Sequence, residues 1–135
     1  MGLSPGISFG ATHNTNIIGL AYALKNNIRL DGGIGFSSLS NVFSCFAINI
    51  GGTYYLFKID DVNTFVSGGL GLASTSYPGS TPSVTDFGFV IKFGAEYNFS
   101  PRFAINGVIG LQPIFGDNPT SVNTVQGLGF TWWFK

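Results

Sequence analysis

Large apolar residues recur at every second position through most of the chain, and no long segment keeps a 3.6-residue period. The clearest run is Phe87, Phe89, Ile91, Phe93, Ala95, Tyr97 and Phe99, interleaved with Gly88, Val90, Lys92, Gly94, Glu96 and Asn98. Such alternation describes a strand with two unlike faces. The same pattern predicts strands near 4–12, 16–24, 28–37, 44–57, 64–75, 103–115 and 123–134, which makes eight. Three connections are tight: Lys25-Asn26-Asn27, the Asp60-Asp61-Val62-Asn63 region and Ser100-Pro101-Arg102. Those near 13–15, 38–43, 76–84 and 116–122 are mostly longer and rich in Ser, Asn, Pro and Gly. Three turns therefore lie at one end, with both termini, and four loops at the other. Opposed residues of a hairpin share a face. Parity then sets Leu24 opposite Ile28 and Phe99 opposite Phe103, each closing a three-residue loop. The same register puts Arg29 opposite Ala23 and Glu96 opposite Asn106.

The second face decides the medium. It is built of Gly, Ala, Ser and Thr and is too poor in charge to be a water-exposed surface. It is small enough to line a narrow barrel, and eight strands leave an interior that side chains just fill. The bulky face then looks outward, where lipid is the environment that suits it. Lys25, Asp60, Asp61 and Asp117 fall in turns or loops, and Lys58 and Lys135 at strand ends. Arg29, Asp31, Lys92 and Glu96 fall on the small-residue face. None lies mid-strand on the bulky face, where Lys or Arg would cost about 2–4 kcal/mol at the bilayer midplane. Strand lengths approach the roughly 9–11 residues that a tilted spanning strand needs. Aromatic residues gather at both strand ends, as interfacial girdles do.

Composition agrees. The 135 residues, 14.3 kDa, make one domain, 1–135. Only 9% are charged, against about 25% in an ordinary soluble domain. Six Lys+Arg balance six Asp+Glu, so there is no basic footprint for nucleic acid. One Cys and one His exclude an internal disulfide and a His-rich metal site, and no cofactor is expected. No apolar stretch reaches the length of a membrane helix, and the start, Met1-Gly2-Leu3-Ser4-Pro5, has no export-signal pattern.

The ending Gly129-Phe130-Thr131-Trp132-Trp133-Phe134 resembles the C-terminal signal by which outer-membrane barrels are recognised for assembly. It departs from that pattern in the Lys135 that follows Phe134 and in Gly127, where a polar residue is usual. The hairpin Phe93 to Phe103 is similar to those of the same group. As a whole, the chain resembles the small eight-stranded bacterial outer-membrane barrels of the OmpA/OmpX type. The resemblance implies an all-β, antiparallel, up-and-down transmembrane barrel in a bacterial outer membrane. It also implies three short periplasmic turns, four outer loops and periplasmic termini. Implied partners are outer-membrane lipids, the barrel assembly machinery acting through Gly129, Trp132 and Phe134, and other outer-membrane proteins.

Candidate sites lie mostly inside. Arg29, Asp31, Lys92 and Glu96 are expected to form a balanced charge network, with partners reached across the lumen because the neighbouring hairpin strands offer none. Tyr55, Phe57, Phe65 and Trp133 have inward parity near the turn end and are expected to form a floor. Cys45 reads as a small inward residue. His13, in the first loop, has neither a His-x-Ser spacing nor a nearby acid, so a solvated histidine is the simpler reading. The expected function is a non-enzymatic outer-membrane barrel with a structural or interaction role. The alternatives are a narrow porin-like channel for small solutes, or a lipid-modifying enzyme using His13.

Overall fold

In the computed structural model the described residues are 4–12, 15–25, 27–39, 43–77, 79, 84–116 and 120–134. They form eight antiparallel strands: β1 (Ser4–Thr12), β2 (Thr15–Lys25), β3 (Ile28–Leu39), β4 (Phe43–Ile59), β5 (Val62–Ser76), β6 (Val84–Asn98), β7 (Phe103–Gly116) and β8 (Ser121–Trp133). Each strand pairs with the next in sequence, and β1 pairs with β8 from Gly6↔Trp133 to Thr12↔Gly127, closing the sheet. Closure matters because an open edge leaves a row of unpaired backbone groups.

The turns between β2 and β3, β4 and β5, and β6 and β7 share one end, hereafter the turn end. The connections at the other end, the loop end, run largely through residues outside the described set. Asp60 takes a positive φ of 51° in the two-residue turn before Val62, a conformation that Asp tolerates better than most residues. In the β6–β7 turn the Ser100 Oγ accepts the Arg102 and Phe103 N–H groups at 3.2 and 3.1 Å. Phe99 stacks on Phe103 with centroids 5.9 Å apart, as parity required of opposed residues. The β2–β3 turn differs from expectation. A register shift between Ala23 and Lys25 sets Lys25, not Leu24, opposite Ile28. The extra residue is a β-bulge, which parity alone cannot reveal.

The faces invert those of a water-soluble protein. Leu20, Ile50, Ile109 and Leu128 are each 65–70% exposed on the outside. The buried apolar residues number four among those described: Ala21, Ala23, Phe65 and Ala104. Buried beside them are Arg29, Thr53, Ser67, Glu96 and Thr131. Contiguous exposed apolar surface on this scale belongs in an apolar medium. Among the described residues no helix is long and apolar enough to cross a membrane.

The lumen is narrow, and glycine makes the room. The Phe65 ring lies over its cross-strand partner Gly94, where an added Cβ would meet Phe65 Cζ and the Gly107 carbonyl oxygen, each at 2.5 Å. The Trp133 ring covers its partner Gly6 in the same way, with a Cβ contact of 2.8 Å. A large inward ring over a neighbouring glycine restores the packing that the glycine lacks. Gly107, on the outer parity of β7, has open space, with nothing nearer to an added Cβ than Leu128 Cδ2 at 3.7 Å. Gly94→Ala is therefore expected to cost about 1–3 kcal/mol through overpacking, read as a lowered urea midpoint in liposomes, while Gly107→Ala leaves the midpoint in place.

The buried Thr131 hydroxyl has no hydrogen-bond partner among the described residues and is fully inaccessible. An unpaired buried hydroxyl costs about 1–3 kcal/mol. The near-isosteric Thr131→Val should leave the urea midpoint unchanged or raise it; a clear drop would show that the hydroxyl is satisfied.

Candidate functional site

The inner parity of β3 carries Arg29 one residue into the strand and Asp31 two residues further. That of β4 carries Thr53 and Tyr55, and that of β6 carries Glu96 near its turn-end terminus. Strands β4 and β5 separate β3 from β6 in the sheet, so contact between Arg29 and Glu96 spans the lumen.

That contact is made. The Arg29 Nη1 donates to Glu96 Oε2 at 2.8 Å and to the Tyr55 hydroxyl at 2.9 Å. The Tyr55 hydroxyl donates in turn to Glu96 Oε1 at 3.0 Å. The Arg29 Nε lies 2.8 Å from Asp31 Oδ1, but off the hydrogen-bond line, so this contact is chiefly electrostatic. Thr53 Oγ1 donates to Asp31 Oδ2 at 2.9 Å. Both Glu96 oxygens are engaged, and its side chain is only 3% exposed. A carboxylate this deep needs such partners, because burying a charge without them is prohibitive.

Arg29 thus finds one partner across the lumen and another on its own strand, where only cross-lumen partners were expected. Residues two apart on a strand share a face, so Asp31 is in reach without crossing. Lys92 stands outside the cluster. Successive registers Arg29↔Thr53, Thr53↔Ser67 and Ser67↔Lys92 put it on the inner parity of β6. It is half-buried there and has no ion pair within 4 Å among the described residues. The expected four-charge network is therefore a cluster of three charges bound to two hydroxyls, with Lys92 apart. Thr53 and Tyr55 were not foreseen in it. The signal for Thr53 is its place directly opposite Arg29.

Three of the four expected floor residues face inward at the turn end. Phe65 is 3% exposed and meets Tyr55 edge-on at 6.0 Å, and Trp133 lies over Gly6. Phe57 does not belong with them. A register shift between Tyr55 and Phe57 makes Leu56 a bulge, so Phe57 pairs with Thr64 on the outer parity and is 57% exposed. One extra residue reverses the face of everything after it.

Exposure grades along the lumen. The Asp31 side chain, further toward the loop end, is 29% exposed, that of Arg29 8% and that of Glu96 3%. The three charges thus become less exposed toward the turn end, where Phe65 and Trp133 pack. Cys45 is a half-buried inward residue nearer the loop end. Gly129 faces inward against the Asn106 side chain, while Trp132 stacks outward on Phe103 at 5.6 Å and meets Phe134 at 5.6 Å. His13, Asp117 and Lys135 lie outside the described residues.

Removing one partner of a buried, hydrogen-bonded charge pair costs about 3–5 kcal/mol, whereas an exposed pair is worth about 0–1. Glu96→Ala should lower the urea midpoint in liposomes strongly, and Asp61→Asn, in an exposed turn, should not. Equal small shifts in the two variants would mean that the cluster is hydrated and carries no stability.

The sequence model of the family described as outer membrane protein beta-barrel domain matches residues 1–134. No curated protein sequence matches the chain. Among solved structures, the N-terminal β-barrel domain of Pseudomonas aeruginosa OprF is similar with a TM-score of 0.77 at 18% identity, covering 97% of each chain. Neisserial surface protein A has a TM-score of 0.71 at 15% identity, covering 98% of this chain and 96% of its own. Yersinia pestis Ail in a phospholipid nanodisc has a TM-score of 0.58 at 16% identity, covering 97% and 99%. At these identities the three structures speak for the fold, and the whole-length family match speaks for descent. The chain belongs to the outer membrane protein β-barrel family.

Proposed function

We propose that this chain is a sealed, non-enzymatic outer-membrane barrel whose role is structural or in interaction with other outer-membrane components. In this reading the three turns and both termini are periplasmic and the loops face outward. Gly129, Trp132 and Phe134 are read by the assembly machinery. The observation that carries the reading is the turn-end plug: Glu96, Arg29 and Tyr55 locked by mutual hydrogen bonds beside the buried Phe65. A plug of paired charges and rings leaves a cup open only to the loop end. The Thr53 and Tyr55 hydroxyls and the Asp31 and Glu96 carboxylates are engaged with one another and with Arg29.

Planar-bilayer recording separates this from the channel reading. Wild-type protein should show no steady conductance. Tyr55→Ala combined with Phe65→Ala should raise leakage by removing a network hydroxyl and the buried ring, and Phe57→Ala, on the outer wall, should not. Steady openings from the unmodified protein would transfer the assignment to a narrow channel.

A further inference from the structure

The charges outside the lumen are distributed unevenly between the two ends. Of the six Lys and Arg residues, Arg29 and Lys92 are inside. The other four, Lys25, Lys58, Arg102 and Lys135, all fall at the turn end of their strands in the sequence. The stretches 13–14, 40–42, 77–83 and 117–120, which connect the strands at the loop end, contain no Lys or Arg and one acid, Asp117. Lys25, Lys58 and Arg102 are exposed. The acids of the turn end, Asp60 and Asp61, sit together beside Lys58 in one hairpin. The hairpins that carry Lys25 and Arg102 have no acid in their turns.

Arg102 also has a particular seat. Its carbonyl accepts the Trp133 N–H at 2.8 Å, which ties the β6–β7 turn to the end of β8. Directly below, on the outer wall, the rings of Phe99, Phe103, Phe130 and Trp132 form one platform. Phe103 lies 5.9, 5.5 and 5.6 Å from the other three. A cation above an aromatic belt that faces lipid stands at headgroup depth.

We propose that the turn-end rim binds the headgroups of anionic phospholipids. Arg102 holds the phosphate of a lipid whose upper acyl chain lies on the platform beneath it, and Lys25, on the opposite side of the barrel, holds that of another. The loop-end rim has no matching site. The proposal rests on the membrane-barrel reading above, and charge complementarity selects the lipid. A rim with surplus cations favours a headgroup of net negative charge over a zwitterionic one, by about fivefold per well-placed Lys or Arg near the surface.

Trp132 faces outward on the platform and reports the lipid beside it, while Trp133 faces the lumen. The protein is refolded into phosphatidylcholine vesicles that contain either brominated phosphatidylglycerol or brominated phosphatidylcholine, and tryptophan quenching is compared. Wild-type protein should prefer phosphatidylglycerol about fivefold at low salt, and lose the preference near 1 M salt, where the screening length is about 3 Å. Arg102→Gln should abolish most of the preference, Arg102→Lys should keep it, and Lys58→Gln, beside its acidic neighbours, should leave it unchanged. Equal quenching by the two lipids in the wild type would overturn the proposal, as would a preference that survives Arg102→Gln. Heat-modifiable migration on gels is followed in the same samples. Failure to fold in either vesicle would overturn the membrane reading itself, and the lipid site with it.

Discussion

In hydrocarbon a backbone amide has only other backbone amides to bond with, and each unsatisfied group costs several kcal/mol. That constraint organises the rest of this molecule. It demands a sheet with no free edge, which the pairing of β1 with β8 supplies. Once the sheet is closed, each strand has an inside and an outside, and the two-residue period assigns every side chain to one of them. The outside takes the Leu, Ile and Phe that a soluble fold would bury.

The inside inherits a space problem from the same closure. Eight strands enclose too little volume for a large side chain at every inward position. The chain meets this by setting rings opposite glycines, Phe65 with Gly94 and Trp133 with Gly6. The remaining inward volume near the turn end is given to Arg29, Asp31 and Glu96, which bond to Tyr55 and Thr53, and Arg29 and Glu96 are almost closed to water. Packing and charge pairing there are one arrangement. The Tyr55 ring lies 5.8 Å from the guanidinium, and the carboxylates make its burial tolerable.

Much of this was legible in the residues alone, because alternation is a strong signal when the two faces differ as sharply as Phe89 and Gly88. Strand order, the shared end of the three turns and the inward set Arg29, Asp31, Lys92 and Glu96 follow from parity. What parity cannot resolve is a place where consecutive residues suit either face. Tyr54, Tyr55, Leu56 and Phe57 are all large, so nothing in them marks Leu56 as the extra residue, and the face of Phe57 was misread. Leu24 and Lys25 hide the bulge beside Ile28 for a related reason: the strand is ending, and either residue can meet the interface. The cluster was foreseen as a balance of charges, but its geometry was not. Which carboxylate meets Arg29 depends on how far each strand is staggered around the barrel, a property of the whole closed sheet rather than of any one segment.

The split between glycines that a methyl group would jam and glycines with room to spare has a genetic consequence. At Gly6, Gly51 and Gly94 an added carbon would fall 2.5–2.8 Å from its neighbours, whereas at Gly32, Gly52 and Gly107 nothing comes nearer than 3.7 Å. A methyl group added on the lipid side at these positions meets open space, while one added on the lumen side meets backbone or a ring. The outer wall can therefore change its residues while the cross-section stays fixed. A barrel of this kind can thus share 18% of its residues with the N-terminal β-barrel domain of OprF and still match 97% of that domain.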